Sequence, residues 1–305
     1  MNLTLKNKKI DYTINAISGL DGLNPTLKII KHTKKIAIAN KESIICGWPL
    51  IKKEINKHNV EFIPIDSEHF SIWSLMNKLN TNNIERIYIT ASGGPFNKFP
   101  INRFKFITPK LALNHPNWKM GKKITIDSAT MMNKVFEIIE AQRLFNVKYN
   151  KLSILVHPKS YVHAMIKFNN GLTKLLIHDT NMMIPIFNSI YPNFKKKLKT
   201  KEVDFSILND LNFKKIDLKR FPVVQILESL SNKHSLFETI IVSANDKLVN
   251  MFLEKKILFT DISKILLRVS KHKPFQKYKR IRPKKIKDIL ELNHYVSLKI
   301  STLSI

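Results

Sequence analysis

Short apolar runs alternate with stretches of helical spacing through most of the chain. Tyr12-Thr13-Ile14-Asn15-Ala16-Ile17 reads as a strand, Ile36-Ala37-Ile38-Ala39 as a short buried one, and Val60-Glu61-Phe62-Ile63-Pro64-Ile65 as another. Asn24 and Pro25 read as the N-cap and first position of a helix running to about Lys34. Further on, the pattern predicts strands at Arg86–Thr90, Lys123–Ile126, Ser153–Val156 and Thr173–Ile177, with the clearest helix at Ser128–Phe145. Such a βαβ rhythm predicts a parallel sheet covered by helices. Residues 191–218 are rich in Lys, Asn and Asp with weak periodicity and read as a connector. Beyond 219 the spacing turns helical at Pro222–Leu230, Leu236–Glu254, Asp261–Val269 and Pro283–Leu298, predicting a small helical C-terminal domain.

Composition narrows the class. With 44% hydrophobic residues in 305, the chain can bury a real core. Only seven glycines leave few places for a Gly-rich nucleotide loop, and the single Cys46 excludes an internal disulfide and zinc-finger modules. A lone thiol fits a reducing compartment. No apolar run approaches the roughly 18 residues of a membrane span, and the opening Met1–Lys9 lacks the apolar core of a signal peptide, so a cytoplasmic protein is expected. The net charge of +29 raises the question of nucleic acid. Of the 52 basic residues only seven are Arg, however, and the lysines are spread along the whole chain. Arg is the side chain whose fork matches phosphate and guanine, so the balance reads as lysine drift, with neither nucleic acid nor membrane as a partner.

Polar clusters follow the expected strands, where open α/β sheets bind ligands. Asp66-Ser67-Glu68-His69 places two hard oxygen donors two residues apart, suited to Mg²⁺ or Mn²⁺ if extended. The same residues also read as a helix N-cap with acidic charge in its first turn. Thr90-Ala91-Ser92-Gly93-Gly94-Pro95 admits an anion-cradling loop or a plain turn. In Asp127–Glu137, Asp127 or Ser128 would cap a helix on which Asn133, Lys134 and Glu137 share a face. That reads either as a phosphate site or as an amphipathic helix with a surface Lys–Glu pair. His115-Pro116-Asn117-Trp118-Lys119-Met120-Gly121 reads as a lid over a ligand or a packed surface loop. His32, His58, His157, His163 and His178 show no ligand spacing and read as structural or surface residues.

Together these motifs, with Ala39-Asn40-Lys41-Glu42-Ser43, His157-Pro158-Lys159-Ser160, Ser243-Ala244-Asn245-Asp246 and Phe259-Thr260-Asp261-Ile262, resemble the 1-deoxy-D-xylulose 5-phosphate reductoisomerase family over about residues 10–265. The resemblance implies rearrangement of 1-deoxy-D-xylulose 5-phosphate and its reduction by NADPH to 2-C-methyl-D-erythritol 4-phosphate, in isoprenoid precursor biosynthesis. It implies Asp66, Glu68 and Glu137 as ligands of the divalent metal, and Ser92, Ser128, Asn133 and Lys134 as holders of the phosphate. Lys41 and Ser67 would contact the substrate's polar backbone, and His115, Trp118 and Met120 would close over it. Lys41, Glu68 and His115 are the implied catalytic residues, and Asn40, Glu42 and Gly121 would face the nicotinamide cofactor.

The family's glycine-rich dinucleotide fingerprint has no counterpart here; Gly19 and Gly22 resemble a later loop. Roughly 80 residues of that unit are expected to be missing, enough for the first strands and helices of one domain. The expected fold is thus α/β: an incomplete Rossmann-like parallel sheet, an α/β catalytic domain and a small C-terminal helical domain. The implied units are 1–65 as the remainder of the NADPH-binding domain, 66–190 as the catalytic and metal-binding domain, 191–218 as connector and 219–305 as the helical domain. Implied partners are the phosphorylated ketose, a second copy in a homodimer, and a separate polypeptide supplying the missing segment. The alternative reading is a truncated or decayed homologue that binds metal and sugar phosphate without redox turnover.

Overall fold

The computed structural model describes residues 9–76, 81–118, 120–191 and 196–302; Lys119 of the expected lid and most of the opening Met1–Lys9 lie outside them. Strands β1 (Ile10–Asn15), β2 (Thr33–Ile38) and β3 (Glu61–Ile63) pair in parallel in the order β1-β2-β3. The central β2 is buried through Ile36, Ala37 and Ile38, the continuous apolar run of a strand covered on both faces. Helix α1 (Leu23–Ile29) links the first two strands and α2 (Lys41–His58) the next two. Asn24 is not the cap of α1: the helix begins at the buried Leu23, with Gly22 before it and Asn24 and Pro25 inside the first turn, where Pro forfeits no hydrogen bond. The helix also stops at Ile29, and a 3-10 turn leads into β2 well before the expected end.

The second sheet is not the expected parallel one. It contains β4 (Ile84–Ala91), β5 (Leu152–Val156), β6 (Val162–Phe168), β7 (Thr173–Ile177) and β8 (Lys214–Lys215), in the order β7-β6-β4-β5-β8. Only β4 and β5 are parallel; the other neighbours are antiparallel. The cause is local. The short His157–Tyr161 link, turned by the Ser160 N–H bond to the His157 carbonyl at 2.9 Å, sends β6 back against β4, and a tight turn with Gly171 at φ 86° returns β7 antiparallel to β6. The expected connector contributes β8 as an edge strand, along with the short helix below.

Helix α3 (Ser67–Met76) follows β3, and α4 (Pro109–Ala112) precedes α5 (Lys122–Thr130). Lys123–Ile126, read as a strand from its Ile-Thr-Ile alternation, is therefore helical. Thr125, Ile126 and Ala129 are buried in α5, and the Thr125 N–H and hydroxyl both donate to the Gly121 carbonyl, so packing overrides β propensity. The single helix expected over Ser128–Phe145 is two. Met131, at φ 73°, breaks α5 from α6 (Met132–Phe145) with a left-handed residue that carries no Gly or Pro signal. Asp127 and Ser128 consequently end one helix instead of capping the next.

Helices α7 (Met183–Ile190) and α8 (Phe205–Asn209) precede a 3-10 helix at Pro222–Ser229. The C-terminal part consists of α9 (Phe237–Leu253), α10 (Phe259–Lys271), α11 (Lys273–Gln276) and α12 (Ile286–Thr302), the helical succession the spacing predicts. Helix α6 is buried almost throughout and packs against β5, α2 and the 3-10 helix. One apolar cluster runs from Leu20 to Ile300 through both sheets and the C-terminal helices. No helix among the described residues is long and apolar enough to cross a membrane.

Candidate active site

The strand and helix ends converge on one cavity of about 500 Å³, within the usual size of a small-molecule site. All the residues singled out line it: Asn40, Lys41 and Glu42 at the start of α2, Asp66, Ser67 and Glu68 at the start of α3, Ser92 after β4, and His115, Trp118, Met120 and Gly121 in the loop before α5. Ser128 comes from the last turn of α5, and Asn133, Lys134 and Glu137 come from α6.

The helix-cap reading of the Asp66 cluster describes its backbone contacts, and its carboxylates also line the cavity. The Asp66 Oδ1 atom accepts from the Glu68 N–H at 3.2 Å, as a helix cap does, and its Oδ2 pairs with the Lys41 ammonium. Glu68 therefore reaches the cavity from a first helical turn, not from an extended stretch. One oxygen each of Asp66, Glu68 and Glu137 lies within 4.8 Å of the others. Two ammonium groups thread among them: Lys134 stands 2.6 Å from both Glu68 and Glu137, and Lys41 stands 3.6 Å from Glu137. The Glu137 Oε2 atom is buried, with the Lys134 ammonium 2.6 Å away as its partner. Three hard carboxylate oxygens gathered this closely are a donor set that fits a divalent cation of the Mg²⁺ class.

Charge states follow from these contacts. Burial would lift the Asp66 carboxyl, but Lys41 and His69 hold it well below the usual range. Burial and the neighbouring Glu68 push Glu137 up to about 7, against the pull of the two lysines. Burial works against the Lys41 ammonium, yet Asp66, Glu137 and Glu140 keep it charged, well above the ordinary lysine value. His69, fully buried behind the cluster, is raised to about 9, with Glu140 and Asp66 overcoming desolvation.

Across the cavity the donors suit an anion. His115 Nδ1 accepts from the backbone N–H groups of Asn117 and Trp118, which assigns the proton to Nε2. That Nε2–H faces Ser128 Oγ at 3.1 Å and Ser92 Oγ at 3.4 Å. Burial, reinforced by Lys134, pushes His115 down to about 4, so it is a neutral donor at physiological pH. Asn133 and Lys134 stand in the first turn of α6, whose dipole favours negative charge. The residues expected to hold a phosphate thus meet around the start of α6, with Ser128 contributed by the end of α5. Gly94, at φ 62°, closes this side; a Cβ there would meet the Ser128 carbonyl at 2.9 Å, so the Gly-Gly turn is also a close approach.

At the other end, Asn40 Oδ1 accepts from the Ser43 N–H at 2.6 Å and its Nδ2 donates to the carbonyls of Ile17 and Gly19. It fixes the wall, and its amide is spent on the chain itself. Glu42 pairs with Lys123 at 2.7 Å, while Gly121 faces open space. The cavity also takes in Ser160, Lys123 and His163, for which spacing gave no ligand signal. His163 lies on β6, a strand its own polar side chain hides from the alternation, and stacks on His178 at 3.7 Å between ring centres.

Comparisons with known proteins agree with this geometry. Residues 62–145 match the 1-deoxy-D-xylulose 5-phosphate reductoisomerase C-terminal domain, residues 178–297 the DXP reductoisomerase C-terminal domain, and residues 1–47 a further 1-deoxy-D-xylulose 5-phosphate reductoisomerase model. The reductoisomerase of Pelagibacter ubique (strain HTCC1062) is 64% identical over 299 residues, covering 98% of this chain and 77% of that protein. That of Sulfurihydrogenibium sp. (strain YO3AOP1) is 42% identical over 261 residues, covering 86% and 68%. A DOX-P reductoisomerase crystal structure in complex with NADPH, fosmidomycin and magnesium superposes with a TM-score of 0.87 at 31% identity, covering 97% of this chain and 76% of that one. The Zymomonas mobilis enzyme in complex with NADPH gives 0.82 at 33%, covering 96% and 75%. The chain belongs to the 1-deoxy-D-xylulose 5-phosphate reductoisomerase family.

Proposed function

We propose that this chain carries out the family's reaction, the NADPH-dependent rearrangement and reduction of 1-deoxy-D-xylulose 5-phosphate to 2-C-methyl-D-erythritol 4-phosphate. The observation that carries the reading is the convergence of Asp66, Glu68 and Glu137 within 4.8 Å, facing the donor group of His115, Ser92, Ser128 and Lys134 in one cavity. Mg²⁺ or Mn²⁺ bound by these three carboxylates supplies a Lewis acid for the substrate's oxygens, and NADPH supplies the hydride.

The chain's own residues do the rest. Lys134, Asn133, Ser92 and Ser128 hold the phosphate, with the His115 Nε2–H as a neutral donor beside them. Lys41, fixed in its ammonium form, and Ser67 orient the ketose backbone, so Lys41, Glu68 and His115 are the groups placed to act on it. Trp118 and Met120 close over the ligand and exclude water from the aldehyde intermediate. Asn40, Glu42 and Gly121 form the wall for the nicotinamide. Identity of 64% across 98% of the chain supports this active reading over a decayed homologue.

The units 1–65, 66–190, 191–218 and 219–305 serve respectively as cofactor side, catalytic centre, connector and supporting helices; the separate three-stranded sheet supports the first. A cytoplasmic homodimer is the expected state. Leu172 and Leu175, exposed beside and on the edge strand β7, are suited to a second copy. The free edge of β1 is suited to a further strand, from another segment or a separate polypeptide.

Calorimetry with 1-deoxy-D-xylulose 5-phosphate, with and without Mg²⁺, followed by an NADPH consumption assay, tests the reading. Metal-dependent binding abolished by Glu137→Ala is expected. Absence of binding under both conditions contradicts it.

A further inference from the structure

Elsewhere in the lining of the same cavity lies a second charged group, in which one cation is shared by three helices. The Lys123 ammonium stands 2.7 Å from Glu42 Oε1, 2.9 Å from Asp127 Oδ2 and 3.1 Å from Asp246 Oδ1. Its N–H groups donate to Glu42 and Asp127, and Asp246 Oδ1 stands within ion-pair distance of the same charge. Glu42 belongs to the first turn of α2, Asp127 to α5 and Asp246 to α9. Asn245 donates to the remaining Asp127 oxygen at 2.7 Å, and the ammonium also lies over the Phe136 ring at 5.4 Å. None of these contacts reaches Asp66, Glu68 or Glu137.

The position of Lys123 in the chain gives the cluster its meaning. It stands two residues after Gly121, where the His115–Met120 loop enters α5, and Gly121 itself has open space around its α-carbon. The loop's downstream end is therefore held by Lys123 and by the Thr125 bonds to the Gly121 carbonyl. Without the ammonium, Glu42 and Asp127 would lose their shared cation beside Asp246, whose carboxyl burial already pushes up to about 7, and the tie from α5 to α2 and α9 would be gone.

We propose that Lys123 is a positioning residue for the reaction: it ties the start of α5 to α2 and α9 and so sets where Met120 and Gly121, just before that helix, stand in the cavity wall. This rests on the reading of the cavity as the substrate site. It assigns Lys123 no contact with substrate or metal. Lys123→Met is then expected to leave affinity for Mg²⁺ within about twofold and to weaken binding of fosmidomycin in the presence of Mg²⁺ by about tenfold, some 1.4 kcal/mol. Lys123→Arg, which keeps the charge and several donors, is expected to recover most of that loss.

Calorimetry on the full chain reads both affinities, and hydrogen exchange reads the loop. In the wild type, fosmidomycin with Mg²⁺ is expected to slow exchange across residues 115–122; in Lys123→Met the segment stays fast. Asp246→Asn, which keeps two of the three anchors, is expected to give a smaller change in the same direction and serves if Lys123→Met fails to fold. Fosmidomycin affinity and loop exchange unchanged in both variants, with Mg²⁺ still bound, would overturn the positioning role alone. A wild-type chain binding neither Mg²⁺ nor fosmidomycin would overturn the reading of the site and this inference with it.

Discussion

Glu137 shows how a single side chain can trade stability for chemistry. Burial and the neighbouring Glu68 push its carboxyl up to about 7, so the folded, metal-free chain holds this proton more tightly than the unfolded one. The stability gained from that proton is full below the ordinary carboxyl range and is lost as pH rises through about 7. At pH 8 the ionised group is therefore a cost in the absence of a cation, and a cation is what relieves it. Replacing Glu137 by Gln is expected to raise the melting temperature of the metal-free protein by roughly 2–4 °C at pH 8, with the gain vanishing at pH 5. Calorimetric titration with Mg²⁺ is expected to show the opposite ranking, with the variant binding at least about tenfold more weakly. Wild-type affinity for the ion should itself fall as pH drops from 8 to 6, because the proton competes for the same oxygen. A variant that is less stable at pH 8 and no weaker for Mg²⁺ would contradict the assignment.

Between the residue and the fold stands the contact of the Ser92–Gly94 turn with the last turn of α5. Gly94 combines a left-handed φ of 62° with a backbone neighbour 2.9 Å from where a Cβ would lie, so Gly94→Ala meets both strain and a carbonyl that cannot rotate away. It is expected to cost about 1–3 kcal/mol in thermal or urea denaturation. Because the displaced carbonyl is that of Ser128, affinity for the phosphorylated ligand should fall further than affinity for Mg²⁺. Much of this architecture was legible in the chain, since β2, β4, β5, α9 and α10 carry clean apolar patterns and the polar clusters sit where strands end. What was not legible has specific causes. The Ile124 and Ile126 alternation imitates a strand inside α5, and Met131 takes a left-handed conformation that nothing in its residue type announces. His163 breaks the pattern of β6, and the parallel reading failed where the short links before and after β6 reverse the chain. The three clustered carboxylates were legible as residue types, but their meeting depends on α6 packing against α3. Lys123 was out of reach, because its three partners lie 81, 4 and 123 residues away.

At the scale of the molecule, the helical C-terminal part is joined to the site by the core itself. Arg143 near the end of α6 and Glu238 at the start of α9 form an ion pair whose side chains are 3% and 1% exposed. Ser235 donates to the second Glu238 oxygen at 2.7 Å, and Gln142 beside Arg143 donates to the Asn232 carbonyl at 3.0 Å. The same helix α6 carries Asn133, Lys134 and Glu137 at its other end, so the pair fixes the axis on which half of the site is mounted. Removing one partner strands the other charge in the core, and Glu238→Ala is expected to cost about 3–5 kcal/mol. With one continuous apolar cluster, that loss should spread through the whole chain. Denaturation followed by far-ultraviolet circular dichroism and by the fluorescence of Trp48, Trp73 and Trp118, which belong to α2, α3 and the loop before α5, should shift to lower denaturant by equal amounts. Fluorescence that keeps its midpoint while the helical signal moves would mean that α9 to α12 fold as a separate unit and that the site does not depend on them.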